Sequence, residues 1–106
     1  MTVEQKILIV LYSLHEKLGR IIDYEDIIVE AFKLFPENFA LKKYPQYPDS
    51  NSINKKIYDS LKPKGLIKIK NLKISLTNHG LELAKQYFHA SSGQNQKVDS
   101  NTELTK

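Results

Sequence analysis

Residues 60–84 read SLKPKGLIKIKNLKISLTNHGLELA, and this segment gives the clearest indication of the architecture. Apolar and basic side chains alternate over residues 66–70, a short turn follows at 71–73, and apolar residues alternate again at 74–76. Alternation with a period of two is typical of a strand that buries one face. We therefore predict a two-stranded hairpin with one buried face and one face that carries lysines.

Four helices are predicted around this hairpin from apolar residues at helical spacing, and they cover residues 3–18, 24–35, 50–61 and 78–89. A capping box formed by Thr2 and Gln5 starts the first helix, and Pro36 stops the second. Residues 20–22 are too short for a free strand but can pair as a third strand. The sequence thus predicts a mainly helical α+β fold with a small antiparallel sheet.

The connector between the second and third helices, residues 37–49, differs in composition from its neighbours. Pro45 and Pro48 discourage a helix, while Phe39, Tyr44 and Tyr47 offer surface to bury. We expect an ordered, largely extended connector that packs on the body of the domain.

Two regions of the chain differ in how much apolar side-chain surface they can bury. Residues 1–89 carry the apolar pattern of a single folded domain, whereas residues 90–106 are rich in Ser, Gly, Gln, Asn and Asp. A segment with so little to bury cannot offset the entropy of ordering it. We therefore expect a disordered tail over residues 90–106.

Composition excludes several classes of protein. The chain has no cysteine, which rules out a disulfide framework, a thiolate zinc site and a cysteine nucleophile. The longest apolar run, Ile7–Tyr12, is too short to cross a membrane, and too few cations precede it for a signal peptide. We expect a cytoplasmic protein.

Catalytic and metal-binding patterns are missing from the sequence. His15, His79 and His89 lie far apart and show no ligand spacing, and the acidic cluster at 23–26 is explained by a helix N-terminus. We expect no enzyme activity, no cofactor and no metal.

Charge is distributed unevenly along the chain. Residues 42–73 hold nine lysines against Asp49 and Asp59, a net charge of +7, while the whole chain carries only +4. Such asymmetry indicates one basic surface on a slightly acidic body. The alternative is that lysine is merely abundant, since all but one of the sixteen cationic residues are lysines.

Two motifs resemble those of winged helix-turn-helix regulators of the PadR and MarR kinds. In these proteins a helix ends at "L…GLI", as at residues 61–67 here, a wing follows, and "LT..G..LA" starts the next helix, as at 76–84. The resemblance covers roughly residues 3–88. It implies a winged helix domain with a three-helix core, a recognition helix at 50–61, a wing at 68–73 and a C-terminal helix.

The resemblance implies that the partner is double-stranded DNA and that the protein is a small transcriptional regulator. Asparagine can pair with adenine and lysine with guanine at the start of a recognition helix, and wing lysines can follow the phosphate backbone. The alternative is that these side chains cap the helix and keep the surface soluble. The candidate nucleic-acid-binding residues are Asn51, Ser52, Asn54, Lys55, Lys56, Tyr58, Lys62, Lys64, Lys68, Lys70 and Lys73.

Two further interactions are expected. The longer connector is similar to that of small winged-helix proteins of prokaryotic mobile or defence loci, so residues 39–47 form an alternative contact for a protein partner in a larger assembly. Its tyrosines either bind a partner or pack the loop onto the domain. A homodimer would use surplus apolar residues of the first and last helices, namely Leu8, Ile9, Leu81, Tyr87 and Phe88.

Overall fold

The structure is a computed structural model that describes the backbone of residues 1–99 and the side-chain environments of residues 1–91. The described chain is mainly helical with one three-stranded antiparallel sheet, which confirms the predicted α+β class. No described helix is long and apolar enough to cross a membrane. In chain order the elements are α1 (Val3–Leu18), β1 (Ile22–Asp23), α2 (Tyr24–Leu34), α3 (Pro36–Phe39), α4 (Ser50–Lys56) with a π-helical turn (Ile57–Leu61), β2 (Ile67–Lys70), β3 (Lys73–Leu76) and α5 (Asn78–Asp99).

Helix α1 forms the centre of the core. Its capping box is present, since the Gln5 amide donates to the Thr2 hydroxyl at 3.1 Å and the Thr2 amide donates to the Gln5 side chain at 3.0 Å. Every residue from Ile7 to Leu14 is buried, so the helix is covered on all sides. On one side the rings of Tyr12 and Phe88 lie 5.0 Å apart, which packs α5 against α1.

Burial of α1 corrects the predicted dimer interface. Leu8 and Ile9 are only 0% and 5% exposed within a single chain, because α5 and the rest of the core cover them. They cannot contact a second copy in this fold. Leu81, Tyr87 and Phe88 are half-buried against the core, so a dimer through these three residues stays a prediction.

The sheet has the order β1-β3-β2 and confirms the hairpin. A short third strand is also present, but it lies at Ile22–Asp23 and shares only Ile22 with the predicted residues 20–22. Ile74 is paired with Ile69 on one side and with Ile22 on the other, which places three isoleucines on the core-facing side. Lys68 and Lys70 lie on the opposite, outer face. The turn uses Asn71 and Leu72 with φ of 52° and 61°, and positive φ at both positions is required for the tight turn that matches strand twist.

The start of α5 lies against the backbone that enters β2. The Thr77 amide donates to the Leu66 carbonyl at 3.0 Å, and the Thr77 hydroxyl caps the Gly80 amide at 3.0 Å. A Cβ on Gly80 would lie 1.9 Å from the Leu66 carbonyl oxygen. This close approach explains why a glycine follows the threonine at that spacing.

Two details of α2 and the connector differ from the sequence prediction. Asp23 precedes α2 but its side chain makes no capping hydrogen bond; it pairs instead with Lys73. The connector was expected to be extended, yet residues 36–39 form a helical turn because Pro36 occupies its first position, where a missing N–H costs nothing.

The rest of the connector is a loop closed by a single bridge between Ala40 and Pro48. Phe39 is fully buried and anchors the loop to the core. Tyr44 and Tyr47 are 52% and 57% exposed, so of the two alternatives for these tyrosines the structure does not favour packing of the loop onto the domain.

Helix α5 continues to Asp99, ten residues beyond the boundary predicted at residue 89. Residues 90–99 contain no proline, so the helix is not blocked after 89, although Gly93 and Asn95 are poor helix formers. The remainder of the predicted disordered tail, residues 100–106, lies outside the described residues.

Candidate nucleic-acid interface

Helix α4 carries the residues that the sequence proposed for base contact, of which Asn51 and Lys55 are exposed. Ile53, Ile57 and Leu61 are fully buried and fix the orientation of the helix. In a regular α-helix, residues four positions apart differ in direction by about 40° around the helix axis. Over the two such intervals from Ile53 to Leu61 this difference would turn Leu61 away from the core. The wider π-helical turn, closed by the Lys62 amide donating to the Ile57 carbonyl at 2.9 Å, counteracts that rotation.

The first turn of α4 shows which polar side chains are already engaged. Asp49 caps the helix by accepting from the Ser52 amide at 3.2 Å and from the Ser52 hydroxyl at 2.6 Å. Ser52 therefore has a structural role at the cap. Asn51 is exposed and Asn54 is half-buried on the same helix, which leaves Asn51 the more accessible of the two amides.

Glu4 of α1 holds the lysine that follows the π-helical turn. Lys64 Nζ lies 2.7 Å from Glu4 Oε1, and the Ser60 hydroxyl donates to the same oxygen. These two hydrogen bonds lower the pKa of Glu4 more than its partial burial raises it. Lys64 is thus neutralised within the chain.

The three hairpin lysines also differ in whether they form a salt bridge within the chain. Lys68 and Lys70 are exposed on the outer face of β2 and make no salt bridge with the described residues, whereas Lys73 on β3 pairs with Asp23. Of the seven lysines predicted for this surface, two are therefore in salt bridges and five are not. The five are Lys55, Lys56, Lys62, Lys68 and Lys70.

Tyr24, which the sequence analysis missed, connects α4 with the hairpin. Its amide donates to the Leu72 carbonyl at 3.1 Å and its hydroxyl donates to the Ser50 carbonyl at 3.4 Å. Burial raises the pKa of Tyr24, and the neighbouring Tyr58 raises it further. The hairpin turn and the start of α4 therefore lie on the same side of the molecule. No sequence signal identifies Tyr24, because a tyrosine in the first turn of a helix has no distinctive spacing.

The same neighbourhood contains carboxylates. Asp23 and Glu25 line a hollow together with Asn71, Leu72 and Lys73 at the hairpin turn. Cationic side chains are consequently presented along the outer face of β2 and not at the tip of the hairpin. Of the three hairpin lysines predicted to follow a phosphate backbone, Lys73 is therefore the one that lies beside carboxylates.

Aromatic side chains lie beside two of the lysines. Lys62 Nζ lies 5.5 Å from the centre of the Tyr58 ring, and Lys43 Nζ lies 6.0 Å from the centre of the Tyr44 ring. Pairs of this kind orient the ammonium group by the attraction between a cation and the ring face. Tyr58 is 40% exposed and remains accessible beside α4.

The hydrogen bonds of Tyr24 thus place the hairpin turn beside the start of α4, and the loop at residues 40–48 is a second exposed feature. Comparison with known proteins identifies no relative of this chain. No protein-family model, curated protein or solved structure matches the chain.

Proposed function

We propose that the chain is a winged helix-turn-helix protein that binds double-stranded DNA and acts as a small transcriptional regulator. Helix α4 docks in the major groove, and the β2–β3 hairpin is the wing that contacts the adjacent backbone. The order of the elements supports this proposal, because α4 is followed by the β2–β3 hairpin and then by α5, as the resemblance implies for a recognition helix, a wing and a C-terminal helix.

The observation that carries the proposal is the group of five lysines without salt bridges on α4, on the turn after it and on β2. Cations that are not neutralised within the chain are available to replace the counterions of DNA phosphates. Lys64 and Lys73 already have carboxylate partners, so we assign them a smaller share of the binding.

Roles within the surface follow from position and exposure. Asn51, Asn54 and Lys55 lie in the first turns of α4 and contact base edges. Lys56 and Lys62 contact phosphates beside the groove, and Lys68 and Lys70 contact phosphates along the wing. The candidate surface has no arginine, the residue best suited to bidentate guanine contacts, so we expect sequence specificity to be modest.

Charge substitutions at matched total charge test the proposal. Replacing Lys55 and Lys70 by glutamate should weaken binding to a duplex by at least about 100-fold, because one base contact and one phosphate contact are lost and two repulsions are added. The control replaces Lys33 on α2 and Lys85 on α5 by glutamate, which changes the net charge equally away from the surface. Equal weakening by both double variants would overturn the proposed surface.

A second candidate function is a protein-interaction module, and the exposure of the tyrosines in the loop favours it. Large exposed aromatic side chains are typical anchors of protein interfaces. Replacing Lys55, Lys56, Lys68 and Lys70 by glutamate should abolish DNA binding but leave this interaction intact. Replacing Tyr44 and Tyr47 by alanine should do the opposite.

A further inference from the structure

A cavity of about 480 Å³ lies between the end of α1, the outer face of the sheet and the start of α5. His15, Arg20, Lys68, Asn78 and Leu81 are among its lining residues. Its volume falls within the range of roughly 300–1,000 Å³ that is typical of small-molecule sites. Its position, beside the wing, is distinct from the first turns of α4.

The cavity is lined by two cationic side chains and by no carboxylate. Arg20 is the only arginine of the chain, and it lines the same cavity as Lys68. Neither makes a salt bridge with another described residue, and no carboxylate is among the residues that line the cavity. A guanidinium group can hold a carboxylate or a phosphate through two parallel hydrogen bonds, which an ammonium group cannot do.

Hydrogen-bond donors at the start of α5 add to this charge. Thr77 already caps the Gly80 amide, whereas the amides of Asn78 and His79 have no partner within the helix, as in the first turn of any α-helix. The positive end of the helix dipole of α5 therefore lies at this cavity.

His15 and Leu81 complete the wall of the cavity. The Nδ1 of His15 is buried out of reach of the cavity, so it plays no part in binding there. Leu81 adds an apolar patch to the wall, which a bare inorganic ion would not need.

We propose that this cavity binds a small organic anion, a carboxylate or a phosphate monoester, whose charged group contacts Arg20 and Lys68. The binding does not depend on the proposed DNA-binding function. One consequence does depend on that function. Lys68 belongs to both surfaces, so a bound anion would take up one of the cations that contact DNA and would lower the affinity for DNA.

An NMR titration of the 15N-labelled full chain without DNA tests the proposal. The probes are inorganic phosphate and succinate, each added at constant ionic strength against sodium chloride. The expected result is saturable shifts at Arg20, Lys68 and Asn78 with at least one probe. Arg20→Ala should weaken that binding by at least about tenfold, because it removes a charged bidentate donor. Arg20→Lys should recover only part of it, and Lys85→Ala on the same helix α5 should leave it unchanged.

Two outcomes would overturn the proposal. One is that shifts grow without saturation at all lysines, or persist unchanged in Arg20→Ala. The other combines two results: neither probe gives saturable shifts, and Arg20→Ala makes the slope of the logarithm of DNA affinity against the logarithm of salt shallower by about 0.9, which corresponds to one phosphate contact. The cavity would then bind a DNA phosphate and not a small anion. Saturable anion binding by a chain that does not bind DNA would refute the proposed function and leave this inference standing.

Discussion

Gly80 shows how one residue joins the hairpin to the last helix. Its Cα faces the Leu66 carbonyl so closely that a methyl group would overlap the backbone oxygen. A flexible side chain could move aside, but the backbone that enters β2 cannot move without breaking the Thr77–Leu66 hydrogen bond. The glycine of the "LT..G..LA" pattern is therefore required by packing.

We expect Gly80→Ala to destabilise the fold by about 1–3 kcal/mol or more, although alanine is the better helix former. Chemical denaturation monitored by circular dichroism measures the change. His79→Ala, at the preceding exposed position, is the control and should change stability little. A stability of Gly80→Ala equal to that of the control would contradict the close approach.

Glu30 on α2 carries a buried carboxylate at the edge of the core. Burial alone would raise its pKa, but hydrogen bonds from Lys17 at 2.8 Å and Ser13 at 2.9 Å outweigh burial and lower the pKa below its ordinary value of 4.5. The folded state therefore favours the ionised form. The stability gained in this way is present above pH 4.5 and is lost as the pH falls through the folded-state pKa.

Glu30→Gln should lower stability at neutral pH by about 1–2 kcal/mol, because Lys17 and Ser13 lose a charged acceptor. It should also flatten the fall of stability with acid. Urea denaturation between about pH 7 and pH 3 checks both effects. Glu82→Gln, at an exposed position on α5, is the matched control, and an acid dependence of Glu30→Gln as steep as that of the control would count against this assignment.

At the scale of elements, the hairpin turn carries a conformational cost. Leu72 has φ of 61° and its side chain is 68% exposed, so it adopts the left-handed conformation without compensating burial. An L-residue pays roughly 1–2 kcal/mol in that region, whereas glycine does not. The Leu72 carbonyl, which accepts from Tyr24, is kept in any substitution.

Leu72→Gly should therefore stabilise the protein by up to about 1 kcal/mol, after the entropy lost by glycine on folding is subtracted. Thermal unfolding of the variant measures the gain. Leu72→Ala removes the same side chain but keeps the strained conformation, so it should bring no gain. Equal stabilisation by both substitutions would show that the side chain, and not the backbone, carries the cost.

Local sequence patterns predicted most elements because they depend on neighbouring residues. The capping box of Thr2, the alternation at 66–70 and the helical stripe from Ile53 to Leu61 all lie within a few positions. The π-helical turn was not predictable, since it arises from how Leu61 meets a core assembled from distant segments. The burial of Leu8 and Ile9 was missed for the same reason, since α2, α4 and α5 are separate segments of the chain that all pack against α1.

At the scale of the whole molecule, the sequence identified the lysines of the proposed surface but not the ion pairs that two of them form. Lys64 and Lys73 are held by Glu4 and Asp23, which lie 60 and 50 positions away in the chain. The cavity at Arg20 is likewise assembled from residues of separate elements, and a lone arginine in a lysine-rich chain is its only trace in the sequence. Long-range contacts of this kind depend on the fold and have no local pattern.

The central claim concerns this surface as a DNA contact, and the salt dependence of binding tests it most directly. Fluorescence anisotropy of a labelled mixed-sequence duplex would be measured from about 50 to 200 mM salt. If four to seven lysines meet phosphates, the logarithm of the affinity should fall against the logarithm of the salt concentration with a slope of roughly −3.6 to −6.3 per chain. Weak binding with a slope near zero would contradict the DNA-binding proposal and direct the search to a protein partner of the exposed loop.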